Sequence, residues 1–128
     1  MEPDPELEEF ATKVFGLARA GETEVLCAYV DAGVPVNLRN DKGDTLVMLA
    51  AYHGHAATVR ALTERGADPD LANDRGQTPL AGAVFKKEPE VVRALMDAGA
   101  DPAAGTPSAL DTARLFGSSD ILGLLGPG

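Results

Sequence analysis

Between Asp41 and Asn73 the chain reads DKGDTLVMLAAYHGHAATVRALTERGADPDLAN. A polar turn holding Gly43 leads into a stretch where Val47, Ala50 and Ala51 recur at helical spacing. After a Gly-His pair, Val59 and Leu62 mark a second helical pattern, which stops at Gly66. The block therefore predicts two helices of about eight to ten residues, a length that is marginal in water without neighbours. Such helices need a partner surface.

The sequence supplies that surface by repetition. At an offset of 33 residues, Asn40, Asp41, Gly43 and Thr45 fall on Asn73, Asp74, Gly76 and Thr78. Val59, Leu62, Gly66, Ala67, Asp68 and Pro69 fall on Val92, Leu95, Gly99, Ala100, Asp101 and Pro102. Upstream, Gly21, Leu26, Tyr29 and Gly33 take the places of Gly54, Val59, Leu62 and Gly66. Downstream the match continues at an offset of 30, where Ser108, Leu110, Gly117, Leu122 and Leu125 repeat Thr78, Leu80, Lys87, Val92 and Leu95. A fixed period of this length means stacked units, each burying its apolar face against the next.

Each unit carries its own start and stop signals. Thr45, Thr78 and Ser108 precede the inner helices, where a hydroxyl can accept from the first free N–H groups. Pro79 follows Thr78 at the first helical position, where a missing N–H is tolerated. Inner helices present Val47, Ala50 and Ala51, or Leu80, Ala83 and Val84, and these small side chains allow close approach. Outer helices present Val59 and Leu62, or Val92 and Leu95, and end at Gly66 or Gly99.

The chain resembles the ankyrin-repeat family on these residues: Gly43-Asp44-Thr45, Ala50-Ala51, Gly54-His55 and Gly66-Ala67-Asp68. In the next repeat they are Gly76-Gln77-Thr78-Pro79-Leu80, Val91-Val92 and Gly99-Ala100-Asp101. The resemblance runs from about Phe10 to Leu125. It implies an all-α repeat solenoid of helix–turn–helix units with hairpin-like turns, about three and a half to four repeats. The units are expected at 10–40, 41–73, 74–106 and 107–128 in one domain spanning 10–128, after an acidic extension at 1–9. The family's Thr-Pro-Leu-His becomes Thr45-Leu46-Val47-Met48 and Thr78-Pro79-Leu80-Ala81, so the histidine that usually braces adjacent turns has no counterpart. Lys87 and Pro89 replace the usual Gly-His region, so the corner of the third repeat is expected to differ locally. Arg114 stands where Ala18, Ala51 and Val84 stand in the other units, as a final repeat without a covering neighbour would permit.

Composition adds limits. The chain has 128 residues with 45% apolar content, four Phe, two Tyr and no Trp, so alanine and leucine must fill the interior. The formal charge is −9, and residues 1–9 hold five acids (Glu2, Asp4, Glu6, Glu8, Glu9) and no base. That balance repels phosphate backbones and anionic membranes and suits a basic partner. Acids there also lie near the positive end of a helix dipole. Cys27 is the one cysteine, so no internal disulfide is available. No basic n-region, signal-length apolar run or membrane-length segment is present, which points to a cytoplasmic protein. High Ala, Gly, Asp and Arg usage suits a GC-rich bacterial source.

Reactive chemistry finds little support. His53 and His55 lack the further ligands a metal site requires, and Gly-His is ordinary at that place in the resembled family. Ser108, Ser118 and Ser119 lie two layers from the histidines, at roughly 10 Å per layer. Cys27 shares its place with Arg60 and Arg93, so it is expected to be part-exposed on an outer helix, without a histidine in its own repeat. Asp41 and Asp44 sit in a polar turn where nothing would raise a carboxyl pKa. Lys86, Lys87 and Arg93 form the densest basic patch, too small for nucleic acid at this net charge. No phosphate loop precedes a helix. The expectation is a non-enzymatic protein without catalytic residues, cofactor or metal.

Stacking places equivalent residues in ladders. The turn tips offer Asp41, Lys42 and Asp44, then Asp74, Arg75 and Gln77. The floor beside them reads Arg19, Tyr52, Phe85 and Leu115, with His53 and Lys86 adjacent. In the resembled family this concave side grips other proteins. Aromatics flanked by charges suit a binding hot spot, so Tyr52 and Phe85 either anchor a partner or pack on each other and seal the stack. The expected function is a monomeric protein–protein interaction module of unknown partner. The alternative is a small inhibitor or immunity-type protein masking a basic toxin or enzyme, whose complex would be salt-sensitive and depend on residues 1–9.

Overall fold

The computed structural model describes residues 5–126, so Glu2 and Asp4 of the acidic run lie outside the described residues. Its helices come in pairs: α1 (Pro5–Ala20) with α2 (Thr23–Asp31), α3 (Leu46–Tyr52) with α4 (Ala56–Glu64), α5 (Pro79–Phe85) with α6 (Pro89–Asp97), and α7 (Ala109–Leu115) with α8 (Ser119–Leu125). Each inner helix packs on its own outer helix, α1 on α3, α3 on α5 and α5 on α7. The outer row runs α2, α4, α6, α8. This is an all-α repeat solenoid. Its core is the seam between the rows, where Leu26, Leu46, Leu62, Leu80 and Leu95 are fully buried.

The inner helices start where the sequence places them. Thr45 Oγ1 accepts from the Met48 N–H at 3.1 Å, Thr78 Oγ1 from Ala81 at 3.2 Å, and Ser108 Oγ from Asp111 at 3.1 Å. All three caps are buried, so losing one would strand an amide without water to replace it. Glu6 and Glu8 occupy the first turn of α1.

Every corner between an inner helix and its outer partner uses the same pair of bonds. Gly54 N–H donates to the Ala51 carbonyl at 3.1 Å and His55 N–H to the Ala50 carbonyl at 2.9 Å. Lys87 donates to Val84 and Glu88 to Ala83, both at 3.0 Å, and Gly117 and Ser118 repeat the pattern onto Arg114 and Ala113. This arrangement closes a helix through one left-handed residue. Lys87 takes that conformation at φ 57°, so the third corner keeps the common backbone, contrary to the expectation of a local difference. The bonds belong to the main chain and survive the change of side chain.

Cys27 corrects a second expectation. It is 5% exposed, in a recess bordered by Asp31, Ala61 and Arg65, whereas part-exposure was expected. Arg60 and Arg93 at the equivalent places are long enough to leave such a recess, and a cysteine is not. Burial pushes the Cys27 thiol pKa up.

Candidate functional site

The turns ahead of α3 and α5 are built by their asparagines. Asn40 Oδ1 accepts from the N–H groups of Lys42 (3.0 Å) and Asp44 (2.9 Å), and Asn73 Oδ1 from those of Arg75 (3.0 Å) and Gln77 (3.1 Å). An asparagine side chain used in this way mimics a backbone turn. Gly43 completes the first turn at φ +79°, and a Cβ there would meet the Asp74 backbone nitrogen at 2.9 Å. That close approach exists because Asp74 N–H donates to the Lys42 carbonyl at 3.1 Å. Asn73 Nδ2 adds donations to Asp44 Oδ1 and Gln77 Oε1, each at 2.9 Å. Successive turns are thereby locked side by side.

A groove of about 460 Å³ lies between these turns and reaches from Asp41, Lys42 and Asp44 across to Asp74, Arg75 and Gln77. Tyr52 and Met48 form its inner end. There it meets a second groove of about 610 Å³, lined by Met48, Tyr52, Gly82, Phe85, Leu115 and Phe116 with polar groups from Gln77 and Asp111. The two share Met48, Tyr52 and Gln77, so they form one continuous concave surface.

Tyr52 and Phe85 each stand against a different ring on that surface. Tyr52 is 41% exposed, stands edge-on to His53 at 5.6 Å between centroids, and carries Lys86 Nζ at 4.9 Å over its ring. Phe85 is 55% exposed and leans on Phe116 at 5.8 Å, while Lys87 Nζ lies 5.9 Å from the Phe116 centroid. Leu115, 81% exposed, completes this end. Cations over aromatic faces are attracted by the ring quadrupole, so the lysines are steered to the groove's edge.

Among the candidate residues, Asp41, Lys42, Asp44, Tyr52, Asp74, Arg75, Gln77 and Phe85 line the two grooves. Arg19, His53 and Lys86 stand beside them at the helix ends. His55 Nε2–H donates to the Arg19 carbonyl at 2.8 Å, joining the first and second repeats there. Partial burial lowers the His53 pKa, and the charges of His55, Arg19 and Lys86 push it the same way. Met48, Gly82, Asp111 and Phe116 were not singled out from the sequence. Phe116 could have been: at the offset of 30 it takes the place of Lys86 and puts a ring where the third repeat has a cation.

The described residues contain no group of three or more His, Cys, Asp or Glu placed to hold a metal ion. Nor does any described helix have the length and apolarity to cross a membrane. The concave surface can offer shape, aromatic faces and fixed charges.

Comparison with known proteins agrees with the repeat. The sequence model of the family described as ankyrin repeats, three copies, matches residues 15–106. A Pseudomonas aeruginosa (strain PAO1) protein, itself named for ankyrin repeats, is similar at 54% identity over 59 residues. That match covers 46% of this chain and 34% of the relative, so the chain matches about a third of the relative's length.

Proposed function

The chain belongs to the ankyrin-repeat family, and from that premise we propose that it recognises a partner protein through the concave face of its turn tips and inner helices. Ankyrin repeats are generally protein–protein interaction modules and are generally non-enzymatic. The observation that carries the finer reading is the shared groove: Tyr52 and Phe85, both exposed, line one surface with the turn-tip charges. Exposed aromatics in a concavity, ringed by polar groups, have the make-up of an interaction hot spot. Recognition proceeds by display on a preformed surface, in the cytoplasm, by a monomer.

The test is a comparison of captured proteins. The tagged chain and its Tyr52→Ala, Phe85→Ala double variant are each crosslinked in cells of the source organism and analysed by mass spectrometry. Loss of a specific partner from the variant, with an unchanged circular dichroism spectrum, is expected. Equal capture by a folded double variant would remove this face from consideration.

A further inference from the structure

Building on the protein-binding reading, we propose that the groove over Gly82 is an anchor pocket for one large apolar side chain of a short linear segment, with a basic residue on its turn side and an acidic residue on its corner side. Gly82 lies in the middle of α5, and a Cβ added there would sit 3.7 Å from Tyr52 Cδ2 and 3.9 Å from Met48 Sδ. The missing side chain therefore leaves its space to the groove. One repeat earlier the same place holds Leu49, which is buried. The pocket's walls are Met48, Tyr52, Phe85, Leu115 and Phe116, so its occupant must be apolar.

Charge assigns the flanks. At the turn end the linings carry four carboxylates, Asp41, Asp44, Asp74 and Asp111, against Lys42 and Arg75. With Arg114 3.7 Å from Asp111, the carboxylates still outnumber the cations by one. At the corner end Lys86 and Lys87 stand over the Tyr52 and Phe116 rings, while the Glu88 carboxyl lies turned against Gly54. The two ends are separated by the seven residues of α5, about 10 Å at the helical rise. Roughly three extended residues cover that distance. A short segment with its apolar anchor between a basic and an acidic residue meets all three determinants when its basic end faces the turns, and the opposite placement sets like charges together.

The probe is a random dodecapeptide library displayed on phage, panned on the full chain and counter-panned on Gly82→Leu. Selected peptides are expected to share one Leu, Met or Phe between a basic and an acidic residue. A labelled consensus peptide should bind by fluorescence anisotropy and lose roughly tenfold or more on Gly82→Leu. Giving both of its flanks the same charge should weaken binding severalfold, and the difference should shrink with added salt. Gly82→Ala, whose Cβ makes only ordinary contacts, supplies a milder variant and should show a smaller loss in the same direction. Peptides that bind Gly82→Leu equally well, or that lack opposite charges on the two flanks, would overturn the pocket while leaving the protein-binding reading intact. So would a failure to select peptides when a Tyr52- and Phe85-dependent protein is still captured. A dimer in sedimentation that Gly82→Leu abolishes would assign the groove to a second copy and overturn the proposal. Absence of both peptides and any face-dependent partner would sink the underlying reading as well.

Discussion

Lys87 closes α5 in the same left-handed conformation that Gly54 uses to close α3, at φ 57° against 82°. For a residue with a Cβ this region costs about 1–2 kcal/mol, whereas glycine enters it freely. The corner bonds are made in both cases, so the lysine carries the strain without an extra hydrogen bond. Lys87→Gly should raise stability by about 0.5–1 kcal/mol, after the greater flexibility of glycine in the unfolded chain is counted. A thermal melt followed by circular dichroism should move up by about 2–5 °C. An unchanged or lower midpoint would mean that the Lys87–Phe116 contact offsets the backbone cost.

That corner also shows where reading the sequence succeeds and where it stops. Caps, glycine stops and the repeat offset are local or periodic signals, so Thr45, Thr78, Ser108, Gly66 and Gly99 take the roles expected of them. The fold follows from them. Lys87 departs from the expectation because a change of side chain leaves the corner's backbone bonds in place. Cys27 departs from it because equivalent ladder positions need not share exposure: a short side chain and an arginine at one place reach different depths. At the groove, the period placed Tyr52 and Phe85 on one face, while the depth over Gly82 comes from an absent side chain that no pattern of apolar residues reports.

Asn73 holds both its own turn and the preceding one. Its Oδ1 receives the Arg75 and Gln77 amides, and its Nδ2 reaches Asp44 in the neighbouring repeat. Net hydrogen-bond contributions are about 0.5–1.5 kcal/mol, and water can replace some of these bonds in a half-exposed turn. Asn73→Ala should therefore destabilise by about 1–2 kcal/mol. The more specific signature is local: hydrogen exchange at the Arg75 and Gln77 amides should accelerate before that of the Leu80 helix. Uniform acceleration throughout the chain would argue against a role confined to the turn.

Arg65 grips Asp31 across the outer row, Nε to Oδ1 at 2.9 Å and Nη2 to Oδ2 at 3.2 Å. This hydrogen bonding is the main reason the Asp31 carboxyl is held below its ordinary 3.8. A carboxylate depressed in the folded state contributes stability that is present above the unfolded value and lost as pH falls through the folded one. The pair is solvent-exposed, so its contribution is modest and screened by salt. Between about pH 5 and pH 3, Asp31→Asn should lose less thermal stability than the parent chain. Parallel melting curves across that window would show that the bridge adds nothing to acid sensitivity.

The last prediction concerns a glycine that packing does not demand. At Gly43 a side chain is excluded, since φ is positive and a Cβ would meet Asp74 atoms at 2.5 and 2.9 Å. Gly82 has neither restriction: it is helical, and its hypothetical Cβ makes ordinary contacts with Tyr52 and Met48. Inside a helix, glycine is about 1 kcal/mol less favourable than alanine. Gly82→Ala should then raise the melting temperature by a few degrees, and the added methyl should also bury some Tyr52 surface. A residue that weakens its own helix while keeping a groove open fits the exchange of stability for function common at binding sites. If Gly82→Ala instead lowered stability, the glycine would be needed for helix packing, and the groove above it would be a by-product of that need.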